Sequence, residues 1–287
     1  MLFNTFLFIY LFLPISVIVY FALIKWRLIL GAKTWLVLTS LFFYSYWDYK
    51  YLPIILCSML VNYGVGTALS SNEESKVRIS RKVILLTGVI ANLALLGYFK
   101  YTDFFITNVN SAFGLDLATL NLVLPLAISF FTFQQVAYLI DSYRNETHEY
   151  DFLNYCLFVT FFPQLIAGPI VHHKEMMPQF DQVKTKALNW KNIYKGLFIF
   201  AIGLFKKVVV ADSLSEWVII GFDQSESLTF FSAWFTSLSY TLKFIMIFLV
   251  IQTWLLALLY FLTLNFQKTL IHLTKQSIYR TFGAVGT

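Results

Sequence analysis

The chain has 287 residues, of which 59% are hydrophobic and 13% charged, with a mean hydropathy of +0.70. Soluble domains carry roughly half apolar and a quarter charged residues, so this composition excludes an ordinary soluble protein and predicts an integral membrane protein. The net charge of +6 does not indicate nucleic acid. The basic residues stand in short loops beside apolar segments, where they set topology and attract anionic headgroups.

Spanning a bilayer takes about 20 apolar residues. Residues 2–23 qualify and carry Pro14, which predicts a kink because proline lacks a backbone donor. With no basic leading segment or small-residue cleavage site, this stretch reads as a retained helix. Residues 35–46 form a short span that Leu28, Ile29 and Leu30 extend. Residues 52–69 form the next, followed by a polar loop over 70–82. Residues 83–99 span again and end at Lys100-Tyr101. Residues 102–121, mixed in character and holding Gly114, read as an external loop or re-entrant piece. Residues 122–140 predict another span, and 152–171 a broken one. Residues 197–210 read as amphipathic or shallowly inserted, with Lys206-Lys207 near the end, and another apolar stretch begins over 227–242. No internal repeat is present.

Lys25, Arg27 and Lys33 follow the first span, and Lys76, Arg78, Arg81 and Lys82 the third. The excess of positive charge on cytoplasmic loops puts both groups inside, the N-terminus outside, and the loop around Asp141 and Arg144 inside. Cys57 and Cys156 both lie in apolar context without metal-ligand spacing, so neither a disulfide nor a metal site is expected.

The most informative stretch is FFPQLIAGPIVHHKEMMPQF, residues 161–180. Pro163 and Pro169 each remove a backbone donor, and Gly168 loosens the chain before the second. In lipid such a break requires protein or a water-filled cavity to satisfy the freed groups. His172 and His173 offer imidazoles of the right basicity to deprotonate a hydroxyl. A wet interfacial loop pairing them with Glu175 or headgroups is the favoured alternative, which leaves them a part in shaping a substrate entrance. Met176 and Met177 read as an anchor at headgroup level. A second polar constellation is SFFTFQQVAYLIDSYR, residues 129–144. Its Gln134, Tyr138 and Asp141 fall at i, i+4 and i+7 on one helix face, which either lines a polar tunnel or bonds a neighbouring helix; Gln135 and Gln164 join them as path candidates. Asn62 and Asn92 read as helix-to-helix hydrogen bonds. No phosphate-binding glycine loop, zinc spacing or nucleophile elbow occurs.

LFNTFLFIYLFLPI, GYFKYTDFF, LPLAISFFTFQQVAYLIDSYR and FVTFFPQLIAGPIVHHKEMMPQF together resemble the membrane-bound O-acyltransferase family, and within it the alginate O-acetyltransferase subfamily. The likeness covers roughly residues 1–242. The teichoic-acid D-alanyl transfer proteins are related, but HHKEMMPQF points away from them. The resemblance implies an all-α, polytopic membrane body with kinked and re-entrant segments, pierced by a tunnel, in the bacterial inner membrane. It implies acyl transfer, here O-acetylation of an exported polysaccharide. The donor (acetyl-CoA or a carrier-bound acyl group) is a substrate rather than a bound cofactor. The acceptor is a polysaccharide, or a partner protein at the outer face. A non-catalytic scaffold of a polysaccharide-export complex is the alternative, and a transporter with a broken helix is a further rival that no repeat symmetry or paired charge supports.

The family's catalytic histidine follows a tryptophan- and arginine-rich motif, downstream of an aromatic-Asp-Phe-Ser-Gly-Tyr-Ser-Asp segment. Neither stands in residues 243–287 as translated. Residues 280–287 can be encoded AGG ACT TTT GGC GCC GTT GGC ACA. Read from the third base, this gives Asp-Phe-Trp-Arg-Arg-Trp-His. Residues 245–254, as ATT ATG ATT TTT CTG GTT ATT CAG ACA TGG, give Tyr-Asp-Phe-Ser-Gly-Tyr-Ser-Asp-Met from the same shift. The degenerate bases are chosen, but the fixed bases of most codons are not free. One frameshift near Lys243 therefore accounts for both losses. On this reading no catalytic residue remains in frame, and His272 is an accident of the shifted frame. The tail from 244 to 264 is apolar enough to form a membrane helix without inherited function.

Overall fold

The computed structural model describes residues 2–71, 80–146, 151–165, 176–177, 179–180, 188–223 and 229–264, and among these all regular structure is helical. The helices are α1 (Leu13–Lys25), α2 (Ile29–Ser45), α3 (Leu52–Ser71), α4 (Arg81–Phe113), α5 (Ile128–Tyr143), α6 (Phe152–Thr160), α7 (Phe162–Leu165), α8 (Trp190–Phe205), α9 (Asp212–Asp223) and α10 (Phe230–Phe261). Among the described residues, four stretches are long and apolar enough to cross a membrane: Phe8–Lys25, Tyr49–Ser70, Arg81–Phe113 and Phe230–Phe261. The shorter α2 is apolar too.

The chain divides into two compact units. One holds residues 26–178, the other residues 2–25 with 179–287. In the first, α3 and α4 pack on α5, and α2 packs on α6 and α7. The two unpaired cysteines, Cys57 exposed and Cys156 buried, fall here. Arg81 at the start of α4 donates to the carbonyls of Ser142 and Tyr143 and lies over the Tyr143 ring. Those contacts bring the start of α4 and the end of α5 to one end of the unit, as the topology reading requires. Lys33 is not a loop charge: it is buried and its ammonium donates to Asn154 Oδ1 at 2.8 Å.

In the second unit, Pro14 is preceded by a π-helical turn, Phe8–Phe12, closed by Leu13 N–H on Phe8 O. The wider i→i+5 register is the form that the expected distortion takes. Helices α8 and α9 are joined through a π segment, Lys206–Ala211, and both pack along α10. The pairing is antiparallel: Lys195 lies near the Tyr260 ring, Lys206 bonds Thr253, and Trp217 meets Phe235. The 197–210 stretch is therefore the middle of a long helical hairpin rather than a shallow helix. Glycines make the approach close. A Cβ at Gly203 would stand 2.6 Å from the Trp254 ring, and one at Gly196 3.0 Å from the Ala257 carbonyl.

Three boundaries differ from the sequence reading. Helix α4 continues past Phe99 to Phe113 because Thr102, Thr107 and Asn108 bond back to carbonyls four residues earlier instead of breaking the helix. It stops at Gly114, whose φ of 63° needs no side chain out of the way. Helix α5 starts at Ile128, after Ala127 at φ 58°. Helix α10 runs through Leu242 without interruption.

Candidate functional site

The polar residues of α5 are held on two of its sides. Gln135 is wholly buried, and its Oε1 accepts from Ser58 Oγ (2.7 Å) and Asn62 Nδ2 (2.6 Å) on α3. Asn62 and Asn92 form a reciprocal amide pair, Asn62 Nδ2 to Asn92 Oδ1 at 3.1 Å and Asn92 Nδ2 to Asn62 Oδ1 at 2.6 Å. The pair ties α3 to α4, and Gln135 adds α5. In an apolar medium such bonds take the place that water would hold, so Asn62 and Asn92 do what the sequence suggests.

Gln134, one residue earlier, turns to α6 and donates from Nε2 to Phe158 O at 3.4 Å. Tyr138 follows on that side, its ring 4.6 Å from that of Tyr155, and it fits only because Gly66 on α3 carries no side chain. Asp141, the third member of the face, is buried. The heptad-like spacing thus does put three polar groups on one buried flank of α5. Gln135 belongs to the other flank, which sequence alone could not say.

Several atoms in this unit are buried without a partner: Thr132 Oγ1, Gln134 Oε1, Gln135 Nε2, Tyr44 OH and Tyr155 OH. Leaving a buried polar atom unbonded costs about 1–3 kcal/mol. Thr132, Tyr44 and Tyr155 were not singled out from the sequence; only Thr132 stands beside residues that were, just before Gln134 and Gln135.

The break expected at Gly168-Pro169 lies outside the described residues, and the structure shows an earlier one at 161–163. Helix α6 ends at Phe161, whose backbone leaves the helical region, and the one-turn α7 follows with Pro163 in it. The freed N–H of Phe162 is satisfied by Ser40 Oγ on α2 at 3.1 Å, which is protein doing the work of water. Gln164 is buried in α7. His172 and His173, with Gly168 and Pro169, lie outside the described residues. Met176 and Met177 are buried, not anchors at headgroup level. Among the described residues no cluster of His, Cys, Asp or Glu could hold a metal ion.

The sequence profile of the membrane-bound O-acyltransferase family matches residues 41–273, most of the chain. The chain belongs to that family. Among curated membrane-bound O-acyltransferase relatives, the peptidoglycan O-acetyltransferase of Helicobacter pylori is 47% identical over 272 residues, covering 85% of this chain and 50% of the relative. The probable alginate O-acetylases of Pseudomonas aeruginosa and Pseudomonas putida are 31% and 33% identical over 247 residues, covering 84% of this chain and 45% and 49% of theirs. The chain thus spans about half the length of these relatives. Membership and the apolar helices together make it an all-α, multi-pass membrane protein of an acyltransferase family.

Proposed function

We propose that this chain is part of a bacterial inner-membrane O-acetyltransferase that esterifies a glycan outside the cytoplasm, and that peptidoglycan is a better candidate acceptor than alginate. The observation that carries the choice is the 47% identity to a peptidoglycan O-acetyltransferase, against 31–33% to alginate O-acetylases. In the proposed reaction a histidine takes the proton of a glycan hydroxyl and the oxygen attacks the acetyl carbonyl. The thioester C–S bond then breaks, and the proton passes to the leaving sulfur. The orphaned Gln134, Gln135, Thr132 and Tyr155 atoms of the first unit support a polar path through an otherwise apolar body. Acceptance at the outer face could run directly or through a partner protein.

The proposal includes that these 287 residues carry no catalytic histidine in frame and do not by themselves transfer acetyl groups. We propose a frameshift near Lys243 as the cause; what supports it is that both missing motifs emerge in order from one shift of permitted codons. A tail diverged in frame is the competing reading, and it draws on the family match that continues to residue 273. Sequencing the gene across the codon of Leu242 separates them: a shifted frame that does not read Asp-Phe-Trp-Arg-Arg-Trp-His under residues 280–287 ends the frameshift account. Expressing the chain as translated and its frame-restored form in a host without glycan O-acetylation tests the activity. Base-labile acetate on peptidoglycan is expected from the restored form alone. Acetate from the 287-residue chain would refute the loss, and acetate on alginate but not peptidoglycan would refute the acceptor. Export-complex proteins co-purifying with the inactive chain would favour the scaffold.

A further inference from the structure

The second unit contains an apolar cleft of about 870 Å³ between α1 and α8 that the acyl-transfer reading does not use. On α1, Leu13, Val17 and Phe21 repeat every four residues and so form one ridge. Opposite them stand Ile193, Leu197 and Phe200 of α8. The volume lies within the range of small-molecule sites. Lys25, in the last turn of α1, closes one end, and exposed Trp190 stands at the same end at the start of α8. No hydrogen bond or ion pair among the described residues engages the Lys25 ammonium. From Leu13 to Lys25 the helix rises about 18 Å, close to the roughly 15 Å depth of one leaflet's hydrocarbon. The cleft is therefore apolar for the length of an acyl chain and cationic where a headgroup would sit.

We propose that this cleft holds one anionic phospholipid, its acyl chain along the α1–α8 seam and its phosphate on Lys25. The charge at the mouth selects the occupant, because an apolar seam alone would take any lipid tail. Lys25 ends the membrane-spanning α1, and a basic residue at that juxtamembrane position attracts anionic headgroups. Trp190 suits the same depth, since tryptophan favours the boundary between hydrocarbon and headgroups.

The test is native mass spectrometry of the full chain, released in detergent and equilibrated with equal amounts of phosphatidylglycerol and phosphatidylethanolamine of matched acyl chains. Phosphatidylglycerol should be retained over phosphatidylethanolamine, and Lys25→Gln should reduce that preference about fivefold while Lys25→Arg keeps it. Ala22→Trp, which fills the cleft beside the ridge, should lower retention of both lipids, with circular dichroism confirming that its helices persist. Equal retention of the two lipids overturns the proposal. So does an unchanged preference in Lys25→Gln, or full retention in a folded Ala22→Trp. Retention of neither lipid also overturns it, and would leave the cleft to a covering segment of the chain.

Discussion

The two units weight differently the means that hold helices together where water is scarce. In the first, close contacts at Gly66 and Gly88 are joined by buried amides: Asn62 and Asn92 bond reciprocally and Gln135 joins them, so three helices share one polar knot. In the second, α8, α9 and α10 meet through absent side chains, with Gly196, Gly203 and Gly221 letting Ala257, Trp254 and Thr236 come close. Without a hydrophobic drive between helices in lipid, contact area and hydrogen bonds are the two remaining sources of association. The difference teaches that they tolerate change differently. A knot of amides fixes angles and leaves orphaned polar atoms around it. A glycine seam gives area, with few polar atoms along it: Lys206 bonds Thr253, and the Trp254 indole nitrogen is buried without a partner.

The sharpest break of this contrast is Gly203→Val. Its side chain would enter the space of the Trp254 ring, a rigid neighbour, and overpacking of this kind costs about 1–3 kcal/mol. The expected result is a loss near the upper end of that range in a reversible unfolding titration in mixed micelles, with the first unit's protease resistance unchanged. Next comes Asn62→Leu, which leaves Gln135 Oε1 with Ser58 alone and takes both Asn62 bonds from the Asn92 amide, and it should cost about 2 kcal/mol. Removing Asn92 as well should cost less than the two single changes added, a non-additivity measurable in a double-mutant cycle. Full additivity would show that the amide pair is not a unit. Smaller again is Arg81→Lys, which loses the forked contact with the end of α5 for an expected cost of about 1 kcal/mol. Its readout is faster proteolysis after residue 144 with little shift in global unfolding. The smallest effect belongs to Cys57→Ser. This exposed thiol should change stability by no more than about 0.5 kcal/mol, while maleimide labelling at Cys57 is lost.

Much of this was readable in the chain, and the parts that were not share a cause. Pro14 and Pro163 declared their distortions because a missing N–H is a property of the residue itself. The face shared by Gln134, Tyr138 and Asp141 followed from helical spacing alone. Thr102, Thr107 and Asn108 misled because a polar residue bonding its own helix looks, in one dimension, like a polar residue in a loop. The hairpin of α8, α9 and α10 was missed because it is a pairing. Gly196 and Gly203, seven residues apart, are its written trace, but which helix fills the gap is not local information. That Gln134 and Gln135 face different neighbours is likewise set by where α3 and α6 stand.

The π segment at Lys206–Ala211 carries one more consequence. Its closing bond runs from Asp212 N–H to Lys207 O, and the wide turn brings the Lys207 ammonium and the Asp212 carboxylate together as an ion pair. A π turn is what an α-helix becomes when it absorbs one extra residue. Deleting Val209 would let the helix relax to ordinary α register, with Lys207 and Asp212 four residues apart on one face. The residues beyond would keep their facing, so Gly221 would stay against Thr236. The wide turn is thus how this helix carries one residue of surplus length without turning its outer half away from its neighbour.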